Sequence, residues 1–182
     1  MTVPEAPLER DDHGAYAAGE GWFVLNARDA RWRERGRRGF SLPVEGATDF
    51  PQVGVFLFVL GPGEPIGMYH WEANQEDFLV VGGEALLLIE GQERPLRQWD
   101  FVHCPVGASH IIIGAGDAPC VVLAVGARGN EGDGEWGMYP VAEIAKKHGV
   151  GVDRETPDAG IAYSHFPAPV PSSYGEGWLP GD

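Results

Sequence analysis

Residues 70–77 read HWEANQED, an imidazole and three carboxylates within eight positions, set between a Gly/Pro turn (GPGEPIG, 61–67) and an apolar run (FLVVGGEALLLIE, 78–90). Side chains two apart on a strand share a face, which pairs His70 with Glu72 and sends Tyr69 and Trp71 the other way. Ala73, Asn74 and Gln75 then suit a turn. If Glu76 faces inward with Phe78 and Val80 on the next strand, three ligand-type groups converge. Two carboxylates in an apolar interior need compensation, since an unpaired buried ion costs on the order of several kcal/mol. A divalent cation supplies it. A fourth group comes from HCPVGASHIIIG (103–114), where Pro105 and Gly107 shape a turn and His110 begins a strand. Two imidazoles and two carboxylates form an N2O2 set suited to Mn, Fe, Ni, Co or Zn and poor for Ca or Mg.

The elements that must position these groups are strands. Between 53 and 126 the chain alternates VGVFLFVLGPG, DFLVVGG, EALLLIEGQ, WDFVHCP, SHIIIGAGD and PCVVLAVG, runs rich in Val, Ile, Leu and Phe punctuated by Gly, Pro and Asp. Several such strands on short connections, with no helical pattern among them, predict an antiparallel sandwich or barrel. LVV, LLLI and III are apolar on consecutive positions, so both faces of those strands need cover, from the N-terminal segment and from a second copy of the chain. A homodimer is therefore expected. By strand parity Phe78, Val80, Leu87 and Ile112 are candidates for an apolar pocket wall.

The order and spacing of the two clusters resemble the motifs of the cupin superfamily. Its first motif is Gly, five residues, His-x-His, three or four residues, Glu, six residues and Gly; its second is Gly, five residues, Pro-x-Gly, two residues, His, three residues and Asn. His70, Glu72, Glu76 and Gly83 match the first with Glu in place of the second His, and Pro105, Gly107 and His110 match the second. Trp99 stands where the second motif opens with Gly, Gly114 where it closes with Asn, and Gly63 one position before the first motif's leading Gly.

The resemblance covers about residues 53–126 and implies an all-β antiparallel double-stranded β-helix, a jelly-roll barrel. It implies a divalent transition metal (Fe, Mn, Ni or Zn) held by His70, Glu72, Glu76 and His110. It also implies an enzyme of dioxygenase, isomerase, decarboxylase or lyase type acting on a small polar molecule, with Glu72 either completing the ligand set or serving as the catalytic base. The alternative is a non-catalytic cupin that binds a small ligand beside a structural metal.

The 182 residues, 43% of them hydrophobic, suit one domain with tails. The expected divisions are a flexible N-terminal arm (1–20), the barrel domain (21–128, motifs at 63–83 and 99–114) and a short helix with a Pro/Gly-rich tail (129–182). Within them GWFVLN (21–26) reads as a strand and GNEGDGEWG (129–137) as a loop. PVAEIAKKHG (140–149) reads as the helix, and the aromatic residues of the tail suggest that it docks.

A net charge of −14 repels phosphates and anionic lipid headgroups, which excludes nucleic acid and membrane surfaces as expected partners. The N-terminal residues do not read as a signal peptide, and no apolar run approaches the roughly 18 residues of a membrane span. The expected compartment is the cytoplasm. Cys104 and Cys120 read as two buried thiols, and His103 reads as structural. Arg28, Arg31, Arg33, Arg35, Arg37 and Arg38 gather six of the thirteen basic residues in 27–40. This stretch is either an anion-binding loop or a solvated loop offsetting the acidic remainder; Gly36 and Gly39, which break any regular face, favour the solvated loop.

Overall fold

The computed structural model describes residues 2–129 and 136–181. The strands are β1 (Leu8–Asp11), β2 (Gly14–Ala17), β3 (Trp32–Glu34), β4 (Phe40–Pro43), β5 (Val53–Leu60), β6 (Trp71–Glu72), β7 (Glu76–Gly82), β8 (Glu84–Ile89), β9 (Gln92–Arg97), β10 (Phe101–Cys104), β11 (His110–Ala115), β12 (Cys120–Ala127), β13 (Gly137–Met138) and β14 (Val170–Ser172). Two short helices, α1 (Glu143–Lys147) and α2 (Ala159–Ala162), follow the barrel strands.

Seven strands form one sheet in the order β10-β7-β12-β5-β4-β3-β14, and β11-β8-β9 form a second. Every pairing between named strands is antiparallel, including the eight-residue β12–β5 ladder and the six-residue β11–β8 ladder. The main core joins the two sheets: Phe58, Leu60, Phe78, Val80 and Val122 meet Leu87 and Ile112. This is the antiparallel barrel expected from the strand pattern, in the jelly-roll form that the resemblance implies. On β7, Phe78 and Val80 are buried while Asp77 and Leu79 are less so, the alternation that a half-buried strand imposes. Opposite them on β10, Val102 and Cys104 point in and Phe101 and His103 point out.

The outer faces of both sheets are apolar too, as LVV, LLLI and III required, and this chain covers them itself. Tyr69, Ala145 and Val150 pack on Leu88, Ile111 and Ile113. On the larger sheet Trp32, Leu42, Val59 and Val121 are covered by Leu25 and Ala27 from the N-terminal side and by Tyr174, Trp178 and Leu179 from the tail. Trp32 is fully buried, with its indole N–H donating to the Ala27 carbonyl at 2.8 Å. The tail docks as expected: β14 pairs with β3, and the Trp178 ring sits 5.3 Å from Trp32 and 4.1 Å from Phe40. Cover that was assigned partly to a second copy thus comes from the C-terminal segment.

Other local expectations are corrected. In the segment 1–20, read as a flexible arm without periodicity, β1 and β2 pair as a hairpin, on which Arg31 stacks over Tyr16 at 3.9 Å and bonds Asp11 at 3.0 Å. GWFVLN is not a strand; Trp22 alone makes a bridge, to Glu5. The helix expected over 140–149 is confined to α1, and α2 adds a second helical turn capped by the Asp158 side chain. Of the loop read over 129–137, residues 130–135 lie outside the described residues. Among the described residues no helix is long and apolar enough to cross a membrane.

Candidate metal centre

His70 precedes β6 and His110 opens β11, and the two face each other in an isolated antiparallel bridge. They exchange both backbone hydrogen bonds, His70 N–H to His110 O at 3.2 Å and His110 N–H to His70 O at 2.8 Å. Directly opposed residues on such a pair point to one face, so the imidazoles lie side by side with ring centroids 5.2 Å apart. Glu76 opens β7 opposite Cys104 of β10 and Gly126 of β12. Its inward parity matches that of Phe78 and Val80.

The ring nitrogens are sorted by the backbone. Nδ1 of His70 lies 2.8 Å from the Met68 carbonyl and Nδ1 of His110 lies 2.9 Å from the Ala108 carbonyl. A carbonyl only accepts, so each Nδ1 carries the proton and each Nε2 offers its lone pair in the neutral ring. Both Nε2 atoms turn toward Glu76, whose Oε2 is 3.1 Å from His110 and 3.5 Å from His70. The 3.1 Å approach is close without having the geometry of a hydrogen bond: His110 Nε2 and Glu76 Oε2 are both buried with no hydrogen-bond partner among the described residues. Two lone-pair donors converging in a buried site fit a shared cation. One ligand atom from each of His70, Glu76 and His110 falls within 4.8 Å of the others.

Without a cation, protons must do this work. Burial pushes His70 down, but its contacts with Glu72 and Glu76 outweigh burial and raise it to about 10. Burial also opposes charge on His110, yet Cys104 and Glu76 raise it to about 9. For Glu76, burial raises the carboxyl and the two histidines more than reverse that, holding it at about 2. A carboxylate clamped between two imidazolium-prone rings is also what a divalent ion would stabilise in their place.

Of the four residues singled out from sequence, three therefore converge. Glu72 is outside that trio, although its Oε1 lies 3.2 Å from His70 Nε2 and its side chain lines the cavity, about a quarter exposed. His103 is on the outer face, bonded to Asp77 at 2.7 Å. Both cysteines are free and buried, and burial pushes the Cys120 thiol up to about 11.

The His70, Glu76 and His110 trio lines a cavity of about 410 Å³. Phe78 and Ile112 line it as expected, whereas Val80 and Leu87 lie behind it in the core. Sequence reasoning missed Arg35, Arg38, Asn74, Trp136 and Tyr163 as parts of the wall. Asn74, read as a turn residue, is 5% exposed. The Tyr163 hydroxyl accepts a hydrogen bond from Met68 N–H at 3.0 Å, tying the C-terminal segment to the strand that carries His70.

Residues 56–126 match the family model described as the cupin domain. No curated protein matches the chain. Among solved structures, the chain is similar to a candidate sugar phosphate isomerase from Acidithiobacillus ferrooxidans (23% identity over 55% of this chain, TM-score 0.45). That alignment spans 64% of the other protein, just under two thirds of its length. A conserved Klebsiella pneumoniae protein with a double-stranded β-helix domain is 25% identical over 50% of this chain and 80% of its own, with a TM-score of 0.43. A Bacteroides fragilis cupin protein is 17% identical over 50% of this chain and 78% of its own, with a TM-score of 0.45.

Proposed function

With residues 56–126 a domain of the cupin superfamily, we propose that this protein is a metal-dependent enzyme acting on a small polar molecule, with His70, Glu76 and His110 as ligands of a divalent transition metal. The observation that carries this reading is the pair of buried atoms, His110 Nε2 and Glu76 Oε2, that face each other without a hydrogen bond. Two imidazoles and a carboxylate suit Fe, Mn, Ni or Zn. A bound ion of this kind supplies Lewis acidity or a site for O₂, the chemistry of dioxygenases, isomerases and lyases.

The chain's own residues supply the rest. The backbone carbonyls of Met68 and Ala108 hold the two rings in the tautomer that presents Nε2. Glu72, half-buried at the cavity wall and outside the trio, takes and returns a proton at the substrate. Phe78 beside His110, Trp136 beside His70 and Tyr163 in the same wall exclude water from the cavity. Three protein ligands beside a cavity leave room for a substrate atom on the ion, which favours catalysis over a closed structural site.

We assign the protein to the cytoplasm on its two free thiols. A homodimer is supported by exposed Trp99, Phe101 and Val106 (67%, 65% and 58%) around the edge strand β10. The deciding measurement is elemental analysis of protein purified without chelator or affinity nickel, beside His110→Ala and Glu72→Ala. Near-stoichiometric metal, lost in His110→Ala and kept in Glu72→Ala, is expected. Metal-free wild type would overturn the reading.

A further inference from the structure

The wall of the same cavity also carries two buried arginines. Arg35 and Arg38 both line it, at 6% and 8% exposure, and neither forms a salt bridge with any described residue. That is unexpected in a chain with 27 acidic against 13 basic residues, since a buried cation without a counter-ion is strongly disfavoured. Arg128, which also lines the cavity, shows the ordinary solution: it pairs with Glu45 at 2.7 Å and donates to the Phe50 carbonyl. Glu64 acts on Arg35 only through space, without an ion-pair contact, and its carboxylate accepts from Gly61 N–H at 2.8 Å.

The two arginines are presented together by the β3–β4 connection. Gly36–Arg38 is a single 3-10 turn with Arg35 just before it, and donation from the Arg35 guanidinium to the Arg38 carbonyl holds the two residues together. Gly39 closes the turn at φ 63, where a Cβ would lie 2.2 Å from the Val59 carbonyl oxygen. Arg35 is held by donation to the Ile66 and Arg38 carbonyls, and its Nε is left buried without a partner. The Arg38 guanidinium donates no hydrogen bond to a described residue, and its Nε is likewise buried and unpartnered. Aromatic rings flank both: Phe58 lies 4.7 Å from Arg35, and Tyr163 and Phe166 lie 4.8 and 5.0 Å from Arg38. Stacking of this kind occupies the faces of a guanidinium; at Arg38 it leaves the in-plane N–H groups, the ones that grip an oxyanion, while Arg35 adds charge beside it.

We propose that Arg35 and Arg38 bind the anionic group of the substrate, so that the cavity they share with His70, Glu76 and His110 takes a small organic molecule bearing a carboxylate or a phosphate. The inference rests on the metal-site reading above for what else the cavity holds, but the arginine pair stands on its own geometry. A single anion between two guanidiniums removes both the missing counter-ion and the repulsion between like charges.

The test is calorimetric titration of the full-length protein, with Mn²⁺ added and after chelator treatment, using succinate, glycerol 3-phosphate and uncharged glycerol as probes. Wild type, Arg38→Gln and Arg38→Lys are compared, with metal content measured on each by elemental analysis. Succinate or glycerol 3-phosphate is expected to bind where glycerol does not, and the better of the two identifies the group. Arg38→Gln should weaken that binding at least tenfold with metal content unchanged, and Arg38→Lys, which keeps the charge and loses the planar fork, should weaken it less. If Arg38→Gln does not fold, the smaller loss in Arg38→Lys and the charged-against-neutral comparison in wild type still decide. Equal affinity in wild type and Arg38→Gln, equal binding of glycerol, or no binding of either anion overturns the proposal. Anion binding by chelator-treated protein upholds it even where the metal reading fails; metal retained with no anion bound sinks this inference alone.

Discussion

His70 and His110 are direct cross-strand partners, joined by two backbone hydrogen bonds, so their imidazoles are held side by side by main chain alone. Replacing either side chain leaves that bridge intact. His110→Ala should therefore keep the fold and weaken metal binding by more than about a hundredfold, beyond the loss typical of removing an outer hydrogen-bond partner. Circular dichroism beside metal titration checks both halves, and a variant that keeps its metal would refute the ligand assignment.

The pH dependence of the metal-free protein has a definite sign. His70 and His110 are raised to about 10 and about 9, so their contribution to stability is complete below the unfolded value near 6.5 and is lost as pH climbs through 9 to 10. Glu76 is lowered to about 2, so its contribution is present above 4.5 and is lost as pH falls toward 2. Urea midpoints should be highest between about pH 4.5 and 6.5. An unchanged midpoint from pH 6 to pH 10 would contradict the charged cluster.

Metal must displace those protons. At pH 7 loading should release about two protons, one from each histidine. Titration in buffers of different ionisation enthalpy measures the number, and zero release would mean that the ion binds elsewhere.

Trp99 stands where the cupin motif has Gly, and its φ is 76, in the left-handed region that favours glycine. The side chain is two-thirds exposed and recovers little by packing. Trp99→Gly should stabilise the monomeric fold by roughly 1 kcal/mol, read as a higher urea midpoint at constant slope.

Gly114, where the motif has Asn, predicts the opposite response. A Cβ there would lie 2.3 Å from the Gly61 carbonyl oxygen and 2.9 Å from Leu60 Cβ. Restoring the family residue with Gly114→Asn should destabilise by about 2 kcal/mol or more, and a neutral effect in thermal melting would show that the 60–61 backbone yields.

Much of the barrel was legible because its signals are local. Parity along HWE and EDFLV aligns His70 and Glu76 inward, and Pro105 and Gly107 place His110 at the start of its strand; each depends on neighbours a few residues away. Glu72 was harder, since parity gives its face but not its reach, and it stops beside His70 without joining the trio. Arg35 and Arg38 read as part of a solvated basic run. Their burial depends on Ile66, Phe58 and Tyr163, partners up to 125 positions away that no local pattern exposes. Cover for the outer sheet faces went the same way: consecutive apolar residues demand a lid, and nothing in them says that Trp178 provides it.

The wall contributed by Trp136 and Tyr163 has a consequence for biogenesis. All three proposed ligands lie at or before residue 110, and both wall residues follow it. As the chain leaves the ribosome from its N-terminus, the ligands emerge while the segment that will enclose them is still being made. An ion taken up at that stage would meet ligands not yet covered by Trp136 and Tyr163.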